Sequence, residues 1–306
     1  MNFSMILSAT ELGLLYTLLT LGLFISYRIL DIPDLTVDGS FTLGAATGTM
    51  VTISGHPILG LIAAACVGVL AGSVTATLQT KLKVNPILSG ILTMTALYSI
   101  NIMIMNDKAN VSLLGETTIF TMAKEIMGTR AALVIGVVSV LVACVLLGLF
   151  LHTKLGLSIR ATGDNEDMVR SSSINVDAMK IIGLALANAL VALSGAMVAQ
   201  KQSFSDASMG TGMVVIGIAS LIIGEVLVDI VVKQRGIKAN IVAAVIGSII
   251  YRLIISAALV VDISATSMKL VSAIIVAIAI SYPVIKSIIG QKMNQYRRQK
   301  GGNIHA

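Results

Sequence analysis

An all-α, polytopic membrane protein is the fold class this sequence predicts, and three observations carry the prediction. Of its 306 residues 56% are hydrophobic and 12% are charged, where a soluble domain carries about 25% charge. The mean hydropathy is +0.95. Apolar runs of about 20 residues, enough to cross a hydrocarbon core of about 30 Å, recur along the chain. Together these features exclude a cytosolic enzyme, a secreted disulfide scaffold and a nucleic-acid binder. The formal charge of +6 is therefore read as membrane topology, not as a site for a polyanion.

The runs fall near residues 11–30, 57–78, 86–105, 131–151, 180–200, 239–261 and 269–289. No Lys or Arg precedes the first run, so it lacks the charged start of a cleaved signal peptide and is expected to stay as a span. Two segments are less regular: 39–54 is short and rich in Gly and Thr, and 211–232 carries Glu225 and Asp229 toward its far end. The count is about nine crossings, within roughly eight to ten. Basic residues mark alternate connections: Lys81 and Lys83; Lys154, Arg160, Arg170 and Lys180; Lys233, Arg235 and Lys238; and the tail from Lys286. This alternation predicts the N-terminus outside and the C-terminus in the cytoplasm. One transmembrane domain is expected over 1–290, with a cytoplasmic loop at 153–180 and a basic cytoplasmic tail at 291–306. Cys66 and Cys144 sit inside apolar runs without metal-site spacing, so neither a metal centre nor a disulfide is expected. Gly44 with Gly48, and Gly68 with Gly72, have the GxxxG spacing that lets helix backbones approach in lipid.

Several polar residues are expensive to keep in such a chain. In RILDIPDLTVDGSFTLG (28–44), Asp31, Asp34 and Asp38 share a connector with Pro33 and Gly39. Pro33 cannot continue a helix and Gly39 relaxes the backbone, so an interrupted helix lining a cavity is expected. The D-x-x-D-x-x-x-D spacing also resembles the magnesium-diphosphate motif of intramembrane aromatic prenyltransferases, whose carboxylates hold Mg²⁺. Pro33 interrupts that motif, and Glu225-x-x-x-Asp229 is the only substitute for its second half. Glu225, Asp229 and Lys233 lie on one helical face. An acid at the bilayer centre costs about 2.5–3.5 kcal/mol, so the span is expected to end near Gly224 with these acids at the inner surface.

The loop TKLGLSIRATGDNEDMVRSSSINVDAMK (153–180) is too long for a tight connector and mixes both charge signs. Gly163 is expected to break it and Asp164 to cap a short helix from about Asn165 to Ser172. This string resembles the coupling segment of ABC-importer permeases of the branched-chain amino acid and ribose type. Gly156, Arg160, Ala161, Gly163, Asn165, Arg170, Ile174 and Asn175 stand at the matching places, and Ser172–Ser173 departs from the family pattern. LGLFISYRILDIPDLTVDGSFTLGA and SFSDASMGTGMVVIGIASLIIGE resemble the family's first span with its interrupted helix and its later Gly-rich segment. The DIPDLTVDGSF string is most similar to a subgroup paired with lipoprotein-type solute-binding proteins and associated with amino acids, often aromatic ones.

The resemblance implies a transport subunit of the bacterial cytoplasmic membrane, not an enzyme. No GxxxxGK[ST] phosphate loop is present in the sequence, so ATP and Mg would be bound by a partner ATPase dimer. That ATPase would grip Arg160, Ala161, Gly163, Asp164, Asn165, Arg170 and Ile174. A second permease copy, most simply a homodimer, would complete the path, and an external binding protein would deliver a small solute, an amino acid. Thr36, Ser40, Thr42, Asn101, Ser203 and Phe204 are the candidates to line the path. Asp31, Asp34, Glu225 and Asp229 are candidates for an inner gate or a partner contact. The competing readings are a stand-alone secondary transporter of the drug/metabolite type, which predicts an inverted repeat that is not evident, and the Mg-dependent prenyltransferase.

Overall fold

The computed structural model describes residues 3–231, 236–260, 270–278 and 281 of the chain. Six of its helical stretches are long and apolar enough to cross a membrane: Ser4–Ile29, Pro57–Thr80, Pro86–Ile104, Ile119–His152, Val176–Gln202 and Ile237–Val260. The expected runs at 57–78, 86–105 and 131–151 coincide with helices α3 (Pro57–Thr80), α4 (Pro86–Ile104) and α6 (Ala131–His152). Pro57 and Pro86 open α3 and α4, where a missing N–H costs nothing, and Asn85 caps α4 by accepting from the Ile87 N–H. The predicted tail, most of the 269–289 run, Lys233 and Arg235 lie outside the described residues.

Helix α1 (Phe3–Leu23) passes without a break into a π-helical turn, Phe24–Ile29. The chain then runs non-helically past Asp31, whose φ is +54°, and Pro33, before α2 (Thr36–Ile53) begins. The interruption predicted around Pro33 is therefore present. Gly39 does not contribute to it. It lies inside α2, where an added β-carbon would stand 3.0 Å from Leu97, so its role is to let α4 approach. The later segment, predicted over 211–232, forms α10 (Met213–Val231), which stays helical past Gly224 through Glu225 and Asp229.

The core is built around α9 (Val176–Gln202). Small residues bring its neighbours into backbone contact: a β-carbon at Gly44 would lie 1.9 Å from the Ala192 carbonyl, and one at Gly72 would lie 2.2 Å from that of Leu184. Both GxxxG pairs thus pack on α9, from α2 and from α3, as close approach in lipid requires. Helix α11 (Ile237–Val260) lies against α1 and α10, with Gly13 on Ile249 and Gly224 on Ala243. At one end of the bundle the chain makes a small antiparallel clip. Strands β1 (Asn110–Ser112) and β2 (Phe204–Asp206) pair, and α5 (Ile119–Met127) follows β1 behind a capping box of Thr118 and Thr121.

Candidate functional site

Two helices begin beside the interruption, and each first turn is met by a carboxylate. Asp34 Oδ1 accepts from the Thr36 N–H (2.9 Å) at the start of α2, and its other oxygen accepts from the Asn188 side chain of α9 (2.7 Å). Asp38, in the first turn of α2, accepts from the N–H groups of Gly212 and Val214 at 2.8 Å each. These are orphan donors at the start of α10, and a carboxylate is the favourable partner for that helix end. Thr42 Oγ1 accepts from the Gly210 N–H at 2.9 Å. Only glycine fits at 210, because a β-carbon would stand 1.9 Å from the Asp38 carbonyl. The segment before α10 is therefore clamped to the first turns of α2.

Of the predicted path residues, Thr36, Ser40, Thr42 and Asn101 gather around this junction and are buried. The Thr36 and Thr75 hydroxyls share a hydrogen bond (2.8 Å), and the Asn101 amide donates to the Gly39 carbonyl (3.3 Å). Ser40 Oγ and Asn101 Oδ1 are buried without a hydrogen-bond partner, so the junction retains polar capacity that its own helices do not use. Ser203 and Phe204 are elsewhere: Ser203 ends α9 in the left-handed conformation (φ +61°), and Phe204 lies half-exposed in the β1–β2 clip.

The four acids proposed for a gate are not brought together. Asp34 is 2% exposed and Asp31 is exposed. Glu225 forms an ion pair with Arg28 of the π-turn (3.1 Å), and Asp229 is exposed further along α10. Asp31, Asp34 and Asp38 thus have different surroundings and do not converge as a magnesium site would require.

The 153–180 loop folds into an elbow. Helix α7 (Lys154–Asp164) ends at Asn165, whose extended backbone (φ −162°) turns the chain and whose side chain caps α8 (Glu166–Ser171) by accepting from the Met168 N–H at 3.0 Å. The break and the cap therefore belong to Asn165, not to Gly163 and Asp164. Gly163 instead permits contact with the π-turn: a β-carbon would stand 1.8 Å from the Ile29 carbonyl. An ion pair between Glu166 and Lys180 ties the elbow to α9. Asp164, Asn165, Met168 and Arg170 are exposed on it, while Arg160, Ala161 and Ile174 are half-buried beneath.

Three polar arrangements escaped sequence reasoning. The Asn188 amide sits 0% exposed in an otherwise apolar stretch. Lys201 pairs with Glu11 of α1 at 2.6 Å and lies over the Phe120 ring. Arg252 of α11 stacks on Tyr16, its guanidinium carbon 4.0 Å from the ring centroid, and Tyr16 stacks in turn on Phe41. Each had the same available signal, a lone amide or charge inside an apolar run. A cation at a span centre costs about 2.5–3.5 kcal/mol, so each such residue needed a named partner.

Comparison with known proteins fits this architecture. Residues 5–281 match the model of the branched-chain amino acid transport system permease component. A tyrosine transport system permease protein of Clostridioides difficile is 39% identical over 272 residues, covering 89% of this chain and 88% of that protein. An uncharacterized protein of Rickettsia prowazekii is 33% identical over 91% of this chain and 97% of its own length. The ribose import permease protein RbsC of Escherichia coli K12 is 26% identical, covering 81% of this chain and 75% of that protein. No solved structure matches. The chain thus belongs to the branched-chain amino acid permease family of ABC importers, as a multi-pass inner-membrane permease subunit.

Proposed function

We propose that this permease forms an amino-acid path in the cell membrane and is driven by a separate ABC ATPase dimer that docks on the α7–α8 elbow. The observation that carries the coupling role is the elbow's construction. It presents Asp164, Asn165, Met168 and Arg170 outward while Gly163 and Glu166 root it on the π-turn and α9. A push on α8 would reach the helix that packs α1, α2 and α3 together. The polar junction of Thr36, Ser40 and Thr42 on α2 with Asn101 on α4 is our candidate for the solute path. ATP and Mg would be held by the ATPase, an external binding lipoprotein would supply solute, and two permease copies would enclose the path. Similarity to the tyrosine permease supports an amino-acid substrate, aromatic ones foremost.

The test is co-purification. The permease is expressed with its genomic neighbours and pulled down in detergent, as wild type and as Arg160→Glu plus Arg170→Glu. An ATPase should accompany the wild type and be lost at least 10-fold from the double variant, with the membrane-embedded part still monodisperse. A permease that purifies alone and moves solute in liposomes without ATP would overturn the reading.

A further inference from the structure

Among the described residues, Arg252 is a cation whose buried Nε has no hydrogen-bond partner. One face of its guanidinium is covered by the Tyr16 ring at 4.0 Å. Among the described residues no carboxylate pairs with it. It stands eight residues before Val260 at the end of α11, which at 1.5 Å per residue is about 12 Å into the helix. From there the side chain is only partly exposed. It turns across α1 onto Tyr16, where an unpaired charge in a span calls for a functional reason.

The guanidinium also occupies a doorway. A cleft of about 300 Å³ between Ser4, Ser8 and Leu259 reaches Arg252 beside the first turns of α1 and the last turns of α11. A second cleft of about 360 Å³ reaches it from the start of α10, between Thr211, Gly212, Tyr251 and Ser272. The two clefts share only Arg252 and Ile255. The second borders the turn before α10, where the Gly212 N–H is held by Asp38 of α2.

We propose that Arg252 binds the carboxylate of the transported amino acid at the boundary between these two clefts. A guanidinium fixed by an aromatic face keeps its planar N–H fork free for bidentate pairing with a carboxylate. A single cation in small, largely apolar clefts suits a small monoanionic group rather than a polyphosphate. Tyr16 orients the fork and Ile255 narrows the passage on the same helix face. This inference rests on the amino-acid reading proposed above.

The experiment uses the detergent-purified permease–ATPase assembly without binding protein, so that the permease alone sets selectivity. Thermal melting is followed with millimolar L-tyrosine, a panel of other L-amino acids, and L-tyrosinamide, which lacks the carboxylate. Wild type should be stabilised by at least one amino acid and not by its amide. Arg252→Gln should lose that stabilisation, and Arg252→Lys should keep part of it with at least 10-fold weaker apparent affinity. Uptake in proteoliposomes with the binding protein should fall at least 10-fold in Arg252→Gln. If wild type responds to amino acids and Arg252→Gln responds equally, the Arg252 assignment is overturned and the amino-acid reading stands. If wild type responds to no amino acid and takes none up, the substrate reading fails and the assignment falls with it. Should Arg252→Gln not assemble, Arg252→Lys decides: an unchanged affinity overturns the assignment.

Discussion

Asn188 shows how much of this membrane interior hangs on single polar atoms. Its amide donates both to Asp34 Oδ2 at 2.7 Å and to the Leu184 carbonyl at 3.0 Å, within an otherwise small and apolar helix face. Asp34 has no water to turn to, since it is 2% exposed. Removing a donor to a buried charged group leaves that group's desolvation uncompensated. Asn188→Leu should therefore destabilise the purified permease by about 1.5–3 kcal/mol, read as a lowered melting temperature. Pairing it with Asp34→Leu should recover part of the loss, because no unmatched carboxylate then remains. Equal melting of Asn188→Leu and wild type would show that the pair contributes nothing. At this scale the sequence was half legible. Asp34 was conspicuous beside Pro33, whereas Asn188 lies 154 positions away and only the fold joins them. Gly39 and Gly163 were visible but misassigned, because a glycine that relaxes a backbone and one that admits a neighbouring helix look identical in one dimension.

At the scale of elements, periodicity and length found the long apolar helices and failed on the short ones. The β1–β2 clip joins residues about 96 positions apart by three paired positions, too few for any alternation to register. It is held at its edge by Asp206, which accepts from the Ser208 hydroxyl and N–H and from the Asn110 amide. Partial burial would raise this carboxyl, but the donors outweigh it and hold the group below the ordinary aspartate value. A depressed folded value means that the charged form stabilises the clip. That contribution is complete above the unfolded-state pKa of about 3.9 and is lost as pH falls through the lower folded value. Hydrogen exchange at 109–112 and 204–208 should thus show no loss of protection from pH 7 down to about 5 once intrinsic rates are corrected, and a loss below about pH 4. In Asp206→Asn protection should be reduced already at pH 7 and indifferent to acid. A wild-type profile flat through pH 3 would sink the assignment. The α7–α8 elbow was legible for a different reason: its charges and Gly163 interrupt an apolar chain. Only the position of its cap shifted, by one residue, from Asp164 to Asn165.

For the whole molecule, burial separates a centre from a rim. In the most apolar windows of Ser4–Ile29 and Val176–Gln202, 78% and 72% of residues are buried, against 33% for Pro57–Thr80 and 22% for Ile119–His152. The first pair is the axis on which the other helices pack, and the second pair presents apolar surface to lipid or to another subunit. The chain direction along this axis ties orientation to function. α9 runs from the elbow at Asn175 to the clip at Ser203, so these two features lie at opposite ends of one helix. If the elbow meets a cytoplasmic ATPase, then the clip, α5 and the start of α1 face outside, the orientation that the basic loops predict. Thiol mapping decides this. In a background with Cys66 and Cys144 replaced by Ala, Leu114→Cys beside the clip and Met168→Cys on the elbow both place an exposed side chain in the connecting regions. A membrane-impermeant maleimide should label Leu114→Cys in intact cells and Met168→Cys only after the membrane is opened. The reverse pattern would invert the molecule and remove the elbow as the ATPase contact. Labelling of both from outside would show that α9 does not span the membrane at all.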